Sequence, residues 1–108
     1  MGLFRDCRAQ ATVNLDGSGQ AKAASGSGFL DHMLLALART ANIDLVAESE
    51  EGLWRAQTLG RAIGLALDDA LGDRSGICRY GSASVPMDES LADVALDFSG
   101  RPHLIVSG

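Results

Sequence analysis

Gly26-Ser27-Gly28-Phe29-Leu30-Asp31-His32-Met33-Leu34 runs a glycine-rich loop straight into an apolar helix, and the reading of the rest of the chain starts from it. Apolar residues recur three and four apart at Phe29, Leu30, Met33, Leu34 and Leu37, which predicts a core-facing helix over about 29–40. Asp31 near its start and Arg39 near its end suit the helix macrodipole. His32 enters at the first turn, where the dipole disfavours imidazolium and favours the neutral ring that a transition metal takes as a ligand. The same residue also reads as a structural His, hydrogen-bonded at a helix start.

Upstream, residues 5–15 alternate polar and apolar and end at Asp16-Gly17-Ser18-Gly19, the pattern of a strand entering a hairpin turn, with 20–24 returning as its partner. Downstream, 43–47 reads as a short strand and Ser49 to Gly52 as an acidic turn. A second helix is expected over about 53–71, with Ala56, Leu59, Ile63, Ala66, Leu67 and Ala70 as its apolar stripe. Gly60 and Gly64 would give that helix a bare face for close approach to a sheet or another helix, and Gly72-Asp73 would stop it. Strands follow at 77–85 (ended by Pro86), 90–98 and 102–106. The order β-β-α-β-α, then β-β-β, is an α+β plan with helices on one face of an antiparallel-rich sheet. Residues 1–73 form a first half and 74–108 the strands of a partial second one, within one globular domain. A sheet face without helices at the end of the chain needs cover, for instance from another subunit.

The 108 residues suffice for one modest domain, and a hydrophobic content of 46% supports a packed core. A net charge of -5 without a long basic run argues against nucleic acid and against an anionic membrane surface. No apolar run approaches the length of a bilayer span. Met1-Gly2-Leu3-Phe4-Arg5 lacks the apolar core of a secretory signal. Cys7 and Cys78, without a Cys-x-x-Cys partner, read as reduced core or strand residues of a cytoplasmic protein.

Six blocks, taken together and in order, resemble the imidazoleglycerol-phosphate dehydratase family. They are Leu15-Asp16-Gly17-Ser18-Gly19, the 26–34 stretch, Ala70-Leu71-Gly72-Asp73, Gly76-Ile77-Cys78-Arg79-Tyr80-Gly81, Pro86-Met87-Asp88-Glu89 and Asp97-Phe98-Ser99-Gly100-Arg101-Pro102. The resemblance implies a duplicated unit similar to the second domain of ribosomal protein S5, present here as one copy and part of another. It implies a manganese-dependent hydro-lyase of histidine biosynthesis, working as a homo-oligomer on a small phosphate substrate. The reaction takes water from imidazole glycerol phosphate to give imidazole acetol phosphate.

Carried onto this chain, the resemblance makes His32 a metal ligand and makes Arg79 and Arg101 the arginines that hold the substrate phosphate. Guanidinium forks suit phosphate oxygens, although both arginines also read as ordinary salt-bridging residues at a strand edge and a turn. Asp88 and Glu89 read as a strand-start turn or as a carboxylate pair for chemistry, Asp97 as a structural residue that caps or pairs with Arg101, and His103 as a half-buried strand residue. The family's His-His-x-x-Glu run at the start of the second helix is missing: Leu53, Trp54 and Gln57 stand in its place. Thr40 and Ala36 likewise replace a His and a Gln of the first helix. His32 is the ligand clearly retained, while manganese needs nearly six. The alternative reading is a non-catalytic relative that keeps the fold as a binding or assembly module, with Leu53 and Trp54 packed into the emptied site.

Overall fold

A computed structural model describes residues 2–5, 9–50 and 54–108. The element order is β1 (Gly2–Arg5), β2 (Ala9–Asn14), β3 (Ala21–Ala24), α1 (Gly28–Ala41), β4 (Asp44–Ser49), α2 (Arg55–Leu71), β5 (Tyr80–Met87) and β6 (Ser90–Asp97). This is an α+β arrangement. It divides into two compact units, Met1–Gly72 and Asp73–Gly108.

The first unit is a four-stranded sheet in the order β1-β2-β4-β3. Alternation along β2 and β4 turns Ala9, Ala11, Val13, Leu45 and Ala47 to one side, where they are buried with Leu34 and Ala38 of α1 and Leu59, Ala62 and Ala66 of α2. Gln10, Thr12, Val46 and Glu48 point to the other side, and the Gln10 amide donates to Glu48 Oε2 at 2.6 Å. Small residues let α2 lie close to the sheet: a Cβ on Gly2 would sit 1.8 Å from the Ala66 carbonyl oxygen.

The expected hairpin at 16–19 is not formed. β2 pairs with β4 antiparallel, and β3 pairs with β4 in parallel, so β4 lies between the two strands expected to be partners. The parallel pair β3–β4 needs a crossover, which α1 supplies. The 16–20 loop is held from a distance instead. Asp44 Oδ1 accepts the Ser18 and Gln20 amides, both at 3.0 Å, and the Leu45 amide donates to the Gln20 carbonyl at 3.0 Å. A side chain at Gly17 would strike Asp44, its Cβ falling 2.4 Å from the Asp44 nitrogen.

The expected stripes hold in part: Leu30 and Leu34 of α1 and Leu59, Ile63, Ala66 and Leu67 of α2 lie in or against the core. On α1, Leu34 and Ala38 are buried, while Phe29 and Leu37 are exposed, because Ala38 rather than a larger side chain meets the sheet. On α2 the close approach is made by Ala62 and Ala66. Gly60 and Gly64 are exposed with nothing near their missing side chains, and Ala56 is exposed too. Residues 6–8, within the expected first strand, and 51–53, at the expected acidic turn and helix start, lie outside the described residues, so Cys7 and Leu53 do as well.

The second unit is the antiparallel ribbon β5–β6, with Asp88-Glu89 as its two-residue turn and Asp88 at a left-handed φ of 52°. β5 starts at Tyr80 because its register begins opposite Asp97; the preceding Asp73-Ser75 turn, closed by the Ser75 amide on Asp73 Oδ1 at 2.9 Å, is not extended. Pro86 does not end the strand but pairs opposite Leu91, tolerated because an outer strand leaves half its N–H positions unpaired. Residues 102–106 form no strand: no partner strand lies beside them in this unit, and Pro102 has no N–H to donate.

Candidate functional site

The loop before α1 is built around Asp31. Its Oδ1 accepts both the amide and the hydroxyl of the fully buried Ser25, at 2.9 and 2.6 Å. Ser27 is the N-cap: its hydroxyl accepts the Leu30 amide at 3.3 Å and its carbonyl accepts the Asp31 amide at 2.9 Å. The Gly-Ser-Gly-x-x-Asp spacing therefore closes the N-terminus of α1 with its own polar atoms. His32 follows with its side chain exposed, one residue past the network rather than inside it.

The chemistry of the second unit gathers on one face of the ribbon. Residues directly opposite in an antiparallel pair share a face, so Tyr80 with Asp97, Ser82 with Ala95, Ser84 with Asp93 and Pro86 with Leu91 lie on this side, which carries both aspartates of the two strands. The Ser84 hydroxyl donates to Asp93 Oδ1. Arg79 pairs with Asp97 through both atoms of one guanidinium edge: Nε to Oδ1 at 2.5 Å and Nη2 to Oδ2 at 3.2 Å. Its guanidinium carbon lies 5.2 Å from the centre of the Tyr80 ring, a cation–π contact that fixes it further. The hydrogen bond from Arg79 lowers the Asp97 carboxyl below its ordinary range, with the charges of Arg79 and Arg101 adding to it, and raises the Arg79 guanidinium in return.

Beside this pair opens a cleft of about 740 Å³ lined by Asp97, Ser99, Arg101, His103, Leu104 and other tail residues. Ser99 shapes the tail, its hydroxyl accepting the Arg101 amide at 3.2 Å. The cleft thus holds Arg101 beside the carboxylate that Arg79 pairs.

Arg79 pairs with Asp97, Arg101 lines the same cleft as Asp97, and His32 belongs to the other unit. Asp97 pairs directly with Arg79, not with Arg101 as expected. His103 lies in the cleft wall, exposed and outside any strand, where a half-buried strand residue was expected. Cys78 is exposed rather than in a core, its thiol donating to the Tyr80 carbonyl at 3.4 Å. Sequence reasoning missed Tyr80 and the orienting role of Asp97; their direct opposition across the ribbon could be found only from the register.

Among the described residues, no three His, Cys, Asp or Glu side chains come together as a metal cluster. Trp54, expected to pack into an emptied site, is 64% exposed, and it starts α2 without a side-chain cap. Its carbonyl accepts both the amide and the hydroxyl of Thr58 at 2.9 Å. No helix among the described residues is long and apolar enough to cross a membrane.

Comparison with known proteins matches this arrangement to one family. The family model for imidazoleglycerol-phosphate dehydratase covers residues 25–108. The imidazoleglycerol-phosphate dehydratase of Nostoc sp. is 50% identical over 101 residues, spanning 88% of this chain and 48% of that protein. The Methanosarcina mazei protein of the same name is 46% identical over 102 residues, spanning 90% of this chain and 53% of its own length. The crystal structure of the Staphylococcus aureus dehydratase superposes with a TM-score of 0.79 at 29% identity, covering 94% of this chain and 60% of that one. The chain spans about half the length of the curated relatives it matches. With most of its length inside the family match, the chain belongs to the imidazoleglycerol-phosphate dehydratase family.

Proposed function

We propose that this chain serves the dehydration of imidazole glycerol phosphate to imidazole acetol phosphate in histidine biosynthesis, as a cytoplasmic lyase scaffold that supplies the grip on the substrate phosphate. The 50% identity with the Nostoc dehydratase carries the reading. On this reading the first unit is one S5 domain 2-like half, and 73–108 begins a second.

Arg79 is the better prepared of the two phosphate ligands. Its Nε and Nη2 edge is spent on Asp97, which leaves Nη1 for an incoming oxygen without a search through rotamers. Arg101 approaches from the tail, so that a phosphate dianion takes hydrogen bonds from two directions. Asp97, its carboxyl lowered by the hydrogen bond from Arg79, holds Arg79 in place; it is a positioning residue. These residues bind and orient.

The test is growth without histidine of a host lacking its own dehydratase. The chain is expressed together with the part of the Nostoc relative that it does not cover. Growth is expected. It should be lost with Arg79→Ala combined with Arg101→Ala and kept with Lys22→Ala, a substitution on an exposed position of β3. No growth with both polypeptides soluble would remove the reading.

A further inference from the structure

Arg79 is held by more than its carboxylate. Its backbone is tied to the neighbouring strand, the Arg79 carbonyl accepting the Phe98 amide at 3.0 Å. It lies one residue before β5, so strand alternation does not dictate which side its side chain takes. Tyr80 is the first residue of β5 and stands directly opposite Asp97, so its ring and that carboxylate share a face of the ribbon. The guanidinium lies against both, with Nε 2.5 Å from Asp97 Oδ1 and its carbon 5.2 Å from the ring centre. Tyr80 is 65% exposed, so no core accounts for its ring; what the ring covers is the guanidinium.

The two partners do different work. A two-point pair with a carboxylate fixes a guanidinium within its own plane. It does not stop the pair from swinging as a body about the last torsion of the Asp side chain, which is broad. A ring lying over one face of the guanidinium blocks that swing on its side and keeps water off the same face. The pair is also exposed, with the Arg79 and Asp97 side chains 51% and 39% accessible, so the carboxylate alone is a weak anchor. An incoming phosphate competes with Asp97 for the same N–H groups. The ring does not take part in that exchange, because it holds the plane of the cation whichever anion the edges bond. A lysine ammonium has no plane to hold, so the arrangement is particular to arginine.

We propose that Tyr80 is a positioning residue whose ring, and not its hydroxyl, sets the plane in which Arg79 meets the substrate phosphate. The inference rests on the phosphate-grip reading and adds to it a residue that acts on the substrate only through Arg79. The geometry it needs lies within the ribbon and the residue before it, at Arg79, Tyr80 and Asp97.

The experiment titrates the full 108-residue chain, labelled with nitrogen-15, with inorganic phosphate and follows the Arg79 Nε–H signal by NMR. Tyr80→Leu should weaken phosphate about two- to fivefold, the size of an exposed cation–π contact, and should speed exchange of the Nε–H with water. Tyr80→Phe, which keeps the ring, should restore both. Unchanged amide exchange across 81–96 reports that the ribbon is intact. Equal weakening in Tyr80→Leu and Tyr80→Phe would overturn the proposal by placing the effect in the hydroxyl. Unchanged affinity in Tyr80→Leu would overturn it outright, as would weaker phosphate binding with the Nε–H exchange unmoved. Should Tyr80→Leu loosen the ribbon, the unaltered chain decides instead: ring current must displace the Arg79 side-chain protons, and the displacement must survive saturation with phosphate. Undisplaced signals there reject the role of the ring. An Arg79 signal that ignores phosphate in the unaltered chain removes the phosphate-grip reading and the inference with it. A ring effect on phosphate without growth in the histidine test removes the dehydratase reading alone.

Discussion

The sheet of the first unit and the ribbon of the second are written in the same alphabet but live in different surroundings. In the sheet, the apolar side of β2 and β4 is no more than 4% exposed. In the ribbon, equivalent alanines, valines and a leucine face solvent. Alternation with period two fixes which side of a strand is apolar; it does not fix whether anything will lie on it. In the first unit the answer comes from helices near in sequence. α1 directly follows β3, and α2 directly follows β4 after a short link. In the second unit, the residues after β6 are a tail whose Leu104, Ile105 and Val106 are about 80% exposed. Fully burying a Val or Leu side chain is worth about 1.5–3 kcal/mol, so the covered face holds most of the protein's hydrophobic stabilisation. A bare ribbon of two strands is marginal by itself.

The sharpest way to break this contrast is to cut the same kind of contact in both places. Leu59 is buried between α2 and the sheet, and Leu59→Ala should cost about 2–5 kcal/mol in urea unfolding followed by helical circular dichroism. Val94→Ala in the isolated chain should cost under about 0.5 kcal/mol, because that side chain loses little on truncation at the surface. Equal costs would mean that the ribbon face is covered in solution. A complementary pair adds atoms instead of removing them. Gly2→Ala drives a Cβ into the Ala66 carbonyl, forces β1 away from α2, and should cost about 1–3 kcal/mol. Gly81→Ala meets nothing within 4 Å and should change stability by less than about 0.5 kcal/mol.

Much of this was legible from residue spacing, and the failures have physical causes. Both helices and both ribbon strands announce themselves by periodicity, and the Ser27 and Asp31 positions mark the start of α1. The Asp16-Gly17-Ser18-Gly19 turn misleads because its chemistry is local while its partner, Asp44, is 26 residues away. Asx and glycine residues bend the chain equally well for a hairpin and for a crossover. The exposed Phe29 and Leu37 misled in another way. Size suggested the core face of α1, but close helix–sheet contact selected Ala38, just as Ala62 and Ala66 displaced the Gly60–Gly64 face on α2. For the site, family resemblance pointed to Arg79 and Arg101, and only the β5–β6 register put Asp97 and Tyr80 beside Arg79. His32 and the missing His-His-x-x-Glu run were readable only through the resemblance, since no local periodicity marks a ligand.

The smallest expected effect compares two carboxylates, one in each unit. Asp44 is held below its ordinary range chiefly by the Ser18 and Gln20 amides, and Asp97 chiefly by the Arg79 side chain. Both folded values lie below the unfolded one. Each therefore contributes stability that is present above the unfolded carboxyl value near 3.8 and is lost as pH falls through the depressed folded value. Salt separates them. An exposed guanidinium–carboxylate pair is screened, whereas amide dipoles in direct contact with a carboxylate are screened much less. Carboxyl titration followed by NMR should show Asp97 moving up toward the ordinary aspartate value in high salt, and likewise in Arg79→Ala. Asp44 should stay low in both. Should Asp44 move with salt as far as Asp97, the 16–20 loop is not clamped by its amides in solution. The parallel β3–β4 arrangement would then lose the contact that ties the crossover to the strand.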